Sequence, residues 1–378
     1  MSESCDEYYV QYNTKDIIQY ALSVGAGSSI HSYNQDVQYV YEDHINFSVM
    51  PTFAFVLIFW ARRSGDGIGN TSTILQFPPP IMKLMGVIPK ESLRVNVDVQ
   101  KYPLIHTSQS IVWEKDLPIP NKKKNYVDVM IKGKFTSVVP KSVGTFVKTE
   151  YAIYEKASDA ESNDLARICR IHFTTLILGI PIEMVQPYNS NNESLATKHF
   201  MNSTVIRSLV ARSTEKKRHL LLEMDYYITP NTALMYRLAS GDFNPMHVDP
   251  NAVPDMGYND QDLNKKEKLP FIHGLCTLGI VARMIIQKVR SRYCDGSTNF
   301  SVRFLDCRFK APVFINDIIV IRAWEVLKYT ACNEKKGTDI SIQFSVAQKS
   351  SDLSLVDSGK MYVSLNSSEN YSTLRSCL

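Results

Sequence analysis

Apolar and polar residues alternate through Leu93-Val95-Val97-Val99 and again through Ile340-Ile342-Phe344-Val346, the period of two that predicts half-buried antiparallel strands. Strand-like runs recur at Tyr126–Lys132, Gly144–Tyr154, Ile168–Leu178, Phe300–Phe309, Ile318–Val326 and Met361–Leu365. Each half also carries one strongly apolar helix candidate ahead of its strands, Pro51–Ala61 in the first and Gly274–Val289 in the second. In the second, Leu275, Leu278, Ala282, Ile285 and Ile286 recur at helical spacing. A helix followed by antiparallel strands, twice over, predicts an α+β repeat. The most apolar stretch, Pro51–Ala61, is far shorter than the roughly 20 residues that span a bilayer and runs into Arg62-Arg63, so no membrane span is expected.

Two shorter elements bear on chemistry. Thr229-Pro230 offers a capping hydroxyl followed by a proline at the first helical position, which predicts a helix through Ala233, Leu234 and Leu238 toward Ser240. Gly241 ends it. Gly241-Asp242 and Asn244-Pro245 are strong turn formers, so Asp242 to His247 is expected in an ordered loop. The polar stretch Tyr188–Glu193 and the basic patch ending at His219 predict a linker over residues 186–218, between a first half (1–185) and a second (219–378).

Composition narrows the classes. The 378 residues exceed the usual single-domain length, and 44% hydrophobic with 21% charged residues is ordinary for a folded chain. The net charge of +4 is spread thinly. Its densest basic runs, Lys122–Lys124 and Lys216–His219, are too short for a nucleic-acid footprint, so no nucleic-acid partner is expected. Seven cysteines include no CxxC pair, which excludes zinc ribbons and dithiol redox motifs. The polar, acidic opening Met1–Tyr9 lacks a secretory pattern, and a reducing intracellular compartment is expected.

Within six residues, Asp242, Asn244 and His247 bring a carboxylate, an amide and an imidazole between Gly241 and Pro245. Adding water to an activated alkene needs a base for the water and an acid for the carbon, and such a pair supplies both. On spacing alone, an Asx-turn beside a surface histidine is the commoner arrangement. The wider context is specific: Tyr236-Arg237-Leu238-Ala239-Ser240-Gly241-Asp242-Phe243-Asn244-Pro245-Met246-His247, followed by His273-Gly274-Leu275-Cys276-Thr277. These segments resemble the YRLxSGDxNPxH and HGLCTxG signatures of the MaoC-like, R-specific enoyl-CoA hydratases. Ile17–Gly27 and Tyr39–Phe53 resemble the opening of the hydratase 2 domain of type 2 peroxisomal multifunctional enzymes, here as a stand-alone protein.

The resemblance implies two tandem hot-dog folds, each an antiparallel sheet wrapped around a long apolar helix, with the first half a non-catalytic acyl-chain pocket and the catalytic loop in the second. It implies that Asp242 and His247 act together on one water, giving a (3R)-3-hydroxyacyl-CoA, with Asn244 orienting water or carboxylate. Glu42 matches a functionally important family position, although a surface glutamate would read the same way. The free N–H groups at Gly274 would hold the thioester oxygen, since such donors stabilise developing negative charge. Substrate contacts are further implied at Gly241, Phe309, Arg308 and Lys310. The lysine stands one place away from its family position, which on a strand would reverse its face and leave Arg308 as the better phosphate ligand. The side chain of His273 is expected to be a cap or a core partner.

The same resemblance implies an acyl-CoA substrate, no cofactor, no metal and a homodimer. Val253-Pro254 and the polar run Asn259–Lys268 depart from the family pattern, so the resemblance does not define the pocket rim. Another hot-dog acyl-CoA enzyme (a thioesterase or dehydratase) and a non-catalytic acyl-CoA-binding protein are the alternatives. The terminus Ser376-Cys377-Leu378 resembles the peroxisomal Ser-Lys-Leu address with cysteine where its receptor reads a basic residue, leaving peroxisomal and cytoplasmic locations both open.

Overall fold

The computed structural model describes residues 6–29, 33–63, 88–121, 124–155, 165–190, 218–253, 269–294, 298–330 and 337–367. The first half contains β1 (Asp6–Asn13), α1 (Thr14–Ser23), α2 (Tyr33–Val40), α3 (Ala54–Trp60) and the two-residue β2 (Arg62–Arg63). It continues with β3 (Leu104–Trp113), β4 (Tyr126–Lys141), β5 (Gly144–Glu155), β6 (Ala166–Leu178) and the short β7 (Tyr188–Asn189). The second half contains β8 (His219–Tyr227), α4 (Thr232–Ser240), β9 (Phe271–Ile272), α5 (Gly274–Tyr293) and β10 (Thr298–Phe309). After these come β11 (Val313–Phe314), β12 (Ile318–Thr330), β13 (Gly337–Gln348) and β14 (Ser354–Ser367).

The strand order exposes the repeat. In the first half it is β1-β4-β5-β6-β3, and in the second β8-β12-β13-β14-β10, all antiparallel. By position within each half the two orders are the same. The halves meet where β3 pairs with β10, with Ile111 opposite Leu305 and Gln109 opposite Cys307. One continuous sheet therefore runs through both.

Helices pack against the sheet in a shared core. Asn13 and Asp16 form a reciprocal capping box that starts α1. In α3 every residue from Ala54 to Phe59 is buried, and in α5 the central residues Leu275–Gln287 are buried without a break. Helices hydrophobic all round belong inside a core, and these share one hydrophobic cluster with β-residues of both halves. The long apolar helix implied for each half is the 20-residue α5 in the second. In the first half the described apolar helix is the seven-residue α3.

Polar bonds also cross between halves. The carboxylate of Asp36 on α2 is fully buried and accepts from Gly27 N at 2.9 Å, from Arg283 Nη1 on α5 at 3.1 Å, and from Gln287 Nε2. Arg283 Nε donates to Val24 O at 2.9 Å. A buried charge is tolerated only when paired and hydrogen-bonded like this.

Three expectations need correction. Leu93–Val99 is not a strand: 3-10 turns at Lys90–Ser92 and Val99–Lys101 bracket a single bridge from Leu93 to Val185. Its valines also divide, with Val95 exposed and Val99 buried, so the alternation does not define one face. Helix α4 starts at Thr232, two residues after Pro230, because Thr229 Oγ1 bonds the side chains of Asn231 and Thr232 within a preceding turn. β7 carries first-half pairing onto β4 as far as Asn189, inside the expected linker. Residues 191–217, most of that linker, lie outside the described residues, as do Asn259–Lys268 and Ser376-Cys377-Leu378. Among the described residues, no helix is long and apolar enough to cross a membrane.

Candidate active site

The site begins where α4 stops. Gly241 adopts φ +72°, a left-handed conformation that ends the helix, and its N–H donates to Arg237 O at 3.1 Å. A β-carbon there would lie 2.8 Å from Trp60 Cδ1. Glycine is thus required twice, by backbone conformation and by the indole that α3 presses against the turn.

Beyond it, side chains cap backbone in series. Asp242 N donates to Ser240 Oγ at 3.1 Å, Asn244 N to Asp242 Oδ1 at 3.2 Å, and Met246 N to Asn244 Oδ1 at 3.2 Å. The last bond opens the 3-10 turn Pro245–His247. The Asp242 carboxylate is therefore oriented by the backbone N–H of Asn244, while the Asn244 side-chain oxygen is engaged as a cap.

Two imidazoles close the constellation. His247 Nδ1 lies 2.9 Å from Phe271 O; a carbonyl only accepts, so Nδ1 carries the proton and Nε2 keeps a lone pair. His273 Nε2 lies 3.1 Å from the main-chain oxygen of Asp242, which fixes the opposite tautomer on that ring. The rings overlap, with centroids 3.7 Å apart and 31° between planes. His273 occupies the N-cap position of α5 but its side chain makes no capping bond; it is instead the clasp on the Asp242 loop.

Burial sets the electrostatics. It raises the Asp242 pKa, opposed by the attraction of His247 and the bond from Asn244 N–H. It lowers His247 to about 3, with His273 adding to the effect and Asp242 opposing it. It lowers His273 to about 3 as well. Both rings are neutral near pH 7. The ligand-capable atoms of Asp242, His247 and His273 all lie within 4.8 Å of one another, so this is also where a metal could be held, through one nitrogen of each ring and the carboxylate.

The remaining expected site residues spread outward. The α5 ladder begins with Cys276 N and Thr277 N, both donating to His273 O, so the N–H groups of Gly274 and Leu275 precede it. A β-carbon on Gly274 would meet the Phe309 ring at 3.3 Å, and His106 of β3 lies against the same ring at 4.9 Å between centroids. Phe309 thus touches the helix start directly. Arg308 and Lys310 are exposed, and their nitrogens each stand 3.9 Å from Asp357, one on each oxygen. Lys310 lies past the end of β10, where its N–H bonds Leu355 O at 2.9 Å. It shares Arg308's acidic neighbour, Asp357. Glu42 is exposed in the turn after α2.

Sequence reasoning missed Trp60, His106 and Tyr236. Tyr236 stands within the motif; its ring, 5.0 Å from His273, backs the site. Trp60 and His106 arrive from the other half and carry no local signal.

A large antiparallel sheet in two like halves, with a half-buried carboxylate and a buried imidazole on the loop after α4, defines a double hot-dog protein. Residues 212–343 match the MaoC like domain, and residues 10–85 match the MFE-2 hydratase 2 N-terminal domain. The chain therefore carries a MaoC-like domain behind a hydratase 2 N-terminal domain. It is 26% identical over 359 residues to the Drosophila melanogaster peroxisomal multifunctional enzyme type 2, covering 95% of this chain but 46% of that one. It is 24% identical over 350 residues to the peroxisomal enoyl-CoA hydratase 2 of Arabidopsis thaliana, covering 90% and 92%. A MaoC-like dehydratase from Phytophthora capsici superposes with TM-score 0.62 at 20% identity over 95% of each chain. The full-length Drosophila enzyme superposes with TM-score 0.56 at 21% identity, covering 96% of this chain and 48% of that one.

Proposed function

We propose that this protein is an (R)-specific enoyl-CoA hydratase of fatty acid metabolism, adding water reversibly across trans-2-enoyl-CoA to give (3R)-3-hydroxyacyl-CoA. The observation that carries the reading is the convergence of the Asp242 carboxylate and a ring nitrogen of His247, which lie within 4.8 Å of one another, with each side chain fixed by its own backbone bond. A single water hydrogen-bonded at about 2.8 Å to each group spans such a gap. The names of the Arabidopsis and Dictyostelium relatives, both enoyl-CoA hydratase 2, support the same chemistry.

In this mechanism one water donates to both groups. Burial makes Asp242 the stronger base, since its pKa is raised while His247 sits near 3. Asp242 takes the proton as the water oxygen bonds the β-carbon, and the alkene electrons move onto the thioester oxygen. The N–H groups ahead of the α5 ladder hold that oxygen, and one such donor is worth roughly 3 to 4 kcal/mol. The α-carbon then takes the proton back from Asp242, which returns the enzyme to its starting state. Because one pair serves one face of the alkene, both additions occur on the same side.

No cofactor enters beyond the CoA thioester. Arg308 and Lys310 bind CoA phosphates, the first half houses the acyl chain, the active unit is a homodimer, and the relatives' names favour a peroxisomal location. The test is loss of the conjugated-thioester absorbance of trans-2-enoyl-CoA with purified protein, with chiral analysis of the product. A (3S) product, or release of free CoA, would defeat the reading.

A further inference from the structure

Behind the Asp242 loop, three polar atoms are completely enclosed and make no hydrogen bond of regular geometry to the protein: Tyr236 Oη, His273 Nδ1 and Tyr20 Oη. Their side chains are at most 2% exposed. They come from three elements in two halves, α1 for Tyr20, α4 for Tyr236 and the head of α5 for His273. The rings form a row, with Tyr20 to Tyr236 at 6.1 Å, Tyr236 to His273 at 5.0 Å, and His273 to His247 at 3.7 Å. Tyr20 Oη points at α5, where a β-carbon on Gly279 would stand 3.1 Å from it. Both hydroxyls feel the Cys276 sulfur in the first turn of that helix. The Thr52 hydroxyl, also enclosed, lies beside Tyr20, where its hydrogen bonding partly offsets the rise that burial gives the phenol.

The donor and acceptor roles are fixed. His273 has committed Nε2–H to the Asp242 carbonyl, so Nδ1 can only accept. Burial raises the Tyr236 and Tyr20 phenols far above neutrality, which keeps both as O–H donors. A buried donor and a buried acceptor on neighbouring rings, with no direct bond between them, form the setting in which an ordered water is held by two to four protein partners.

We infer that Tyr236 Oη, His273 Nδ1 and Tyr20 Oη together bind one buried water, which joins the non-catalytic half to the clasp on the Asp242 loop. The water accepts from a tyrosine hydroxyl and donates to His273 Nδ1. It thereby holds His273 in the tautomer whose Nε2–H grips the Asp242 carbonyl, making Tyr236 and Tyr20 positioning residues. The binding site rests on the enclosed atoms alone, and only its effect on turnover rests on the hydratase reading.

The experiment is a crystal structure of the full chain at a resolution that shows waters, with Tyr236→Phe and Tyr20→Phe alongside, and ¹⁵N spectra of the His273 ring. Wild type should show a water within hydrogen-bond distance of Tyr236 Oη and His273 Nδ1, with an unprotonated Nδ1. Tyr236→Phe should lose or displace the water and shift the Nδ1 resonance. On enoyl-CoA, Tyr236→Phe should lower kcat about tenfold while KM stays within about twofold, as expected for losing one hydrogen bond that aligns the base without touching substrate. A dry site, a direct Tyr236–His273 bond, or a protonated Nδ1 overturns the inference. If wild type binds the water but hydrates no enoyl-CoA, the water site stands and the proposed reaction falls.

Discussion

The indole of Trp60 occupies the space that a side chain on Gly241 would need, with Cδ1 2.8 Å and Nε1 2.9 Å from the β-carbon position. A first-half helix thereby limits what the second half can place at the head of its acid–base loop. Gly241→Ala should lose about 1 to 2 kcal/mol for the left-handed backbone and a further 1 to 3 kcal/mol for overpacking against the indole. Denaturant unfolding in wild-type and Trp60→Leu backgrounds separates the two. The second loss should shrink when the indole is gone; equal losses in both backgrounds would mean that Trp60 simply moves aside.

Asp242→Asn and His247→Gln keep shape while removing a proton acceptor. Under the proposed mechanism, in which both act on one water, each should lower kcat by roughly 10² to 10⁴-fold, and the double variant should be little worse than either. Acyl-CoA affinity should survive. Near-normal turnover in Asp242→Asn would exclude it as the base.

Acid should destabilise this protein earlier than carboxylate titration alone would. His247 and His273 have folded pKa values near 3, against about 6.5 unfolded. As pH falls below about 6.5 the unfolded chain binds these protons first, so stability drops toward the folded pKa at about 1.4 kcal/mol per pH unit for each ring. Asp242 acts in the opposite sense: its carboxylate is costly to the folded state above its raised pKa, and acid relieves that cost. One group opposes two. Melting temperature should fall between pH 7 and 5, and His273→Gln should flatten the profile. An unchanged slope in that variant would show that His273 does not titrate in this way.

Asp357 stands between Arg308 and Lys310, at 3.9 Å from each. If these cations meet CoA phosphates, Asp357→Asn should lower KM for enoyl-CoA with kcat unchanged, most clearly at low salt where exposed charges are least screened. A KM that rises, or does not move with ionic strength, would place CoA elsewhere.

Much of this was legible from periodicity and motif. Six strand-like runs lie within β4, β5, β6, β10, β12 and β14, and Gly241 ends its helix as its position beside Asp242 suggested. Leu93–Val99 misled because alternation says nothing about whether a partner strand lies alongside, and here only Leu93 finds one. Asn244 was read for its amide, although its backbone N–H holds the carboxylate. The relationships that no local pattern encodes are the distant ones. Asp36 and Arg283 are 247 residues apart, and neither shows its partner in its own surroundings. The role of His273 depends on a carbonyl that folding brings to it.

The pairing of β3 with β10 has a consequence for the evolution and engineering of this chain. Each half, taken alone, would end in an open edge from which the other half's strand had been removed, with Ile111 or Leu305 beside bare N–H and C=O groups. Such edges recruit strands from other molecules. The repeat is therefore mutually protective: neither copy can be lost, moved or swapped into another protein unless something else covers that seam.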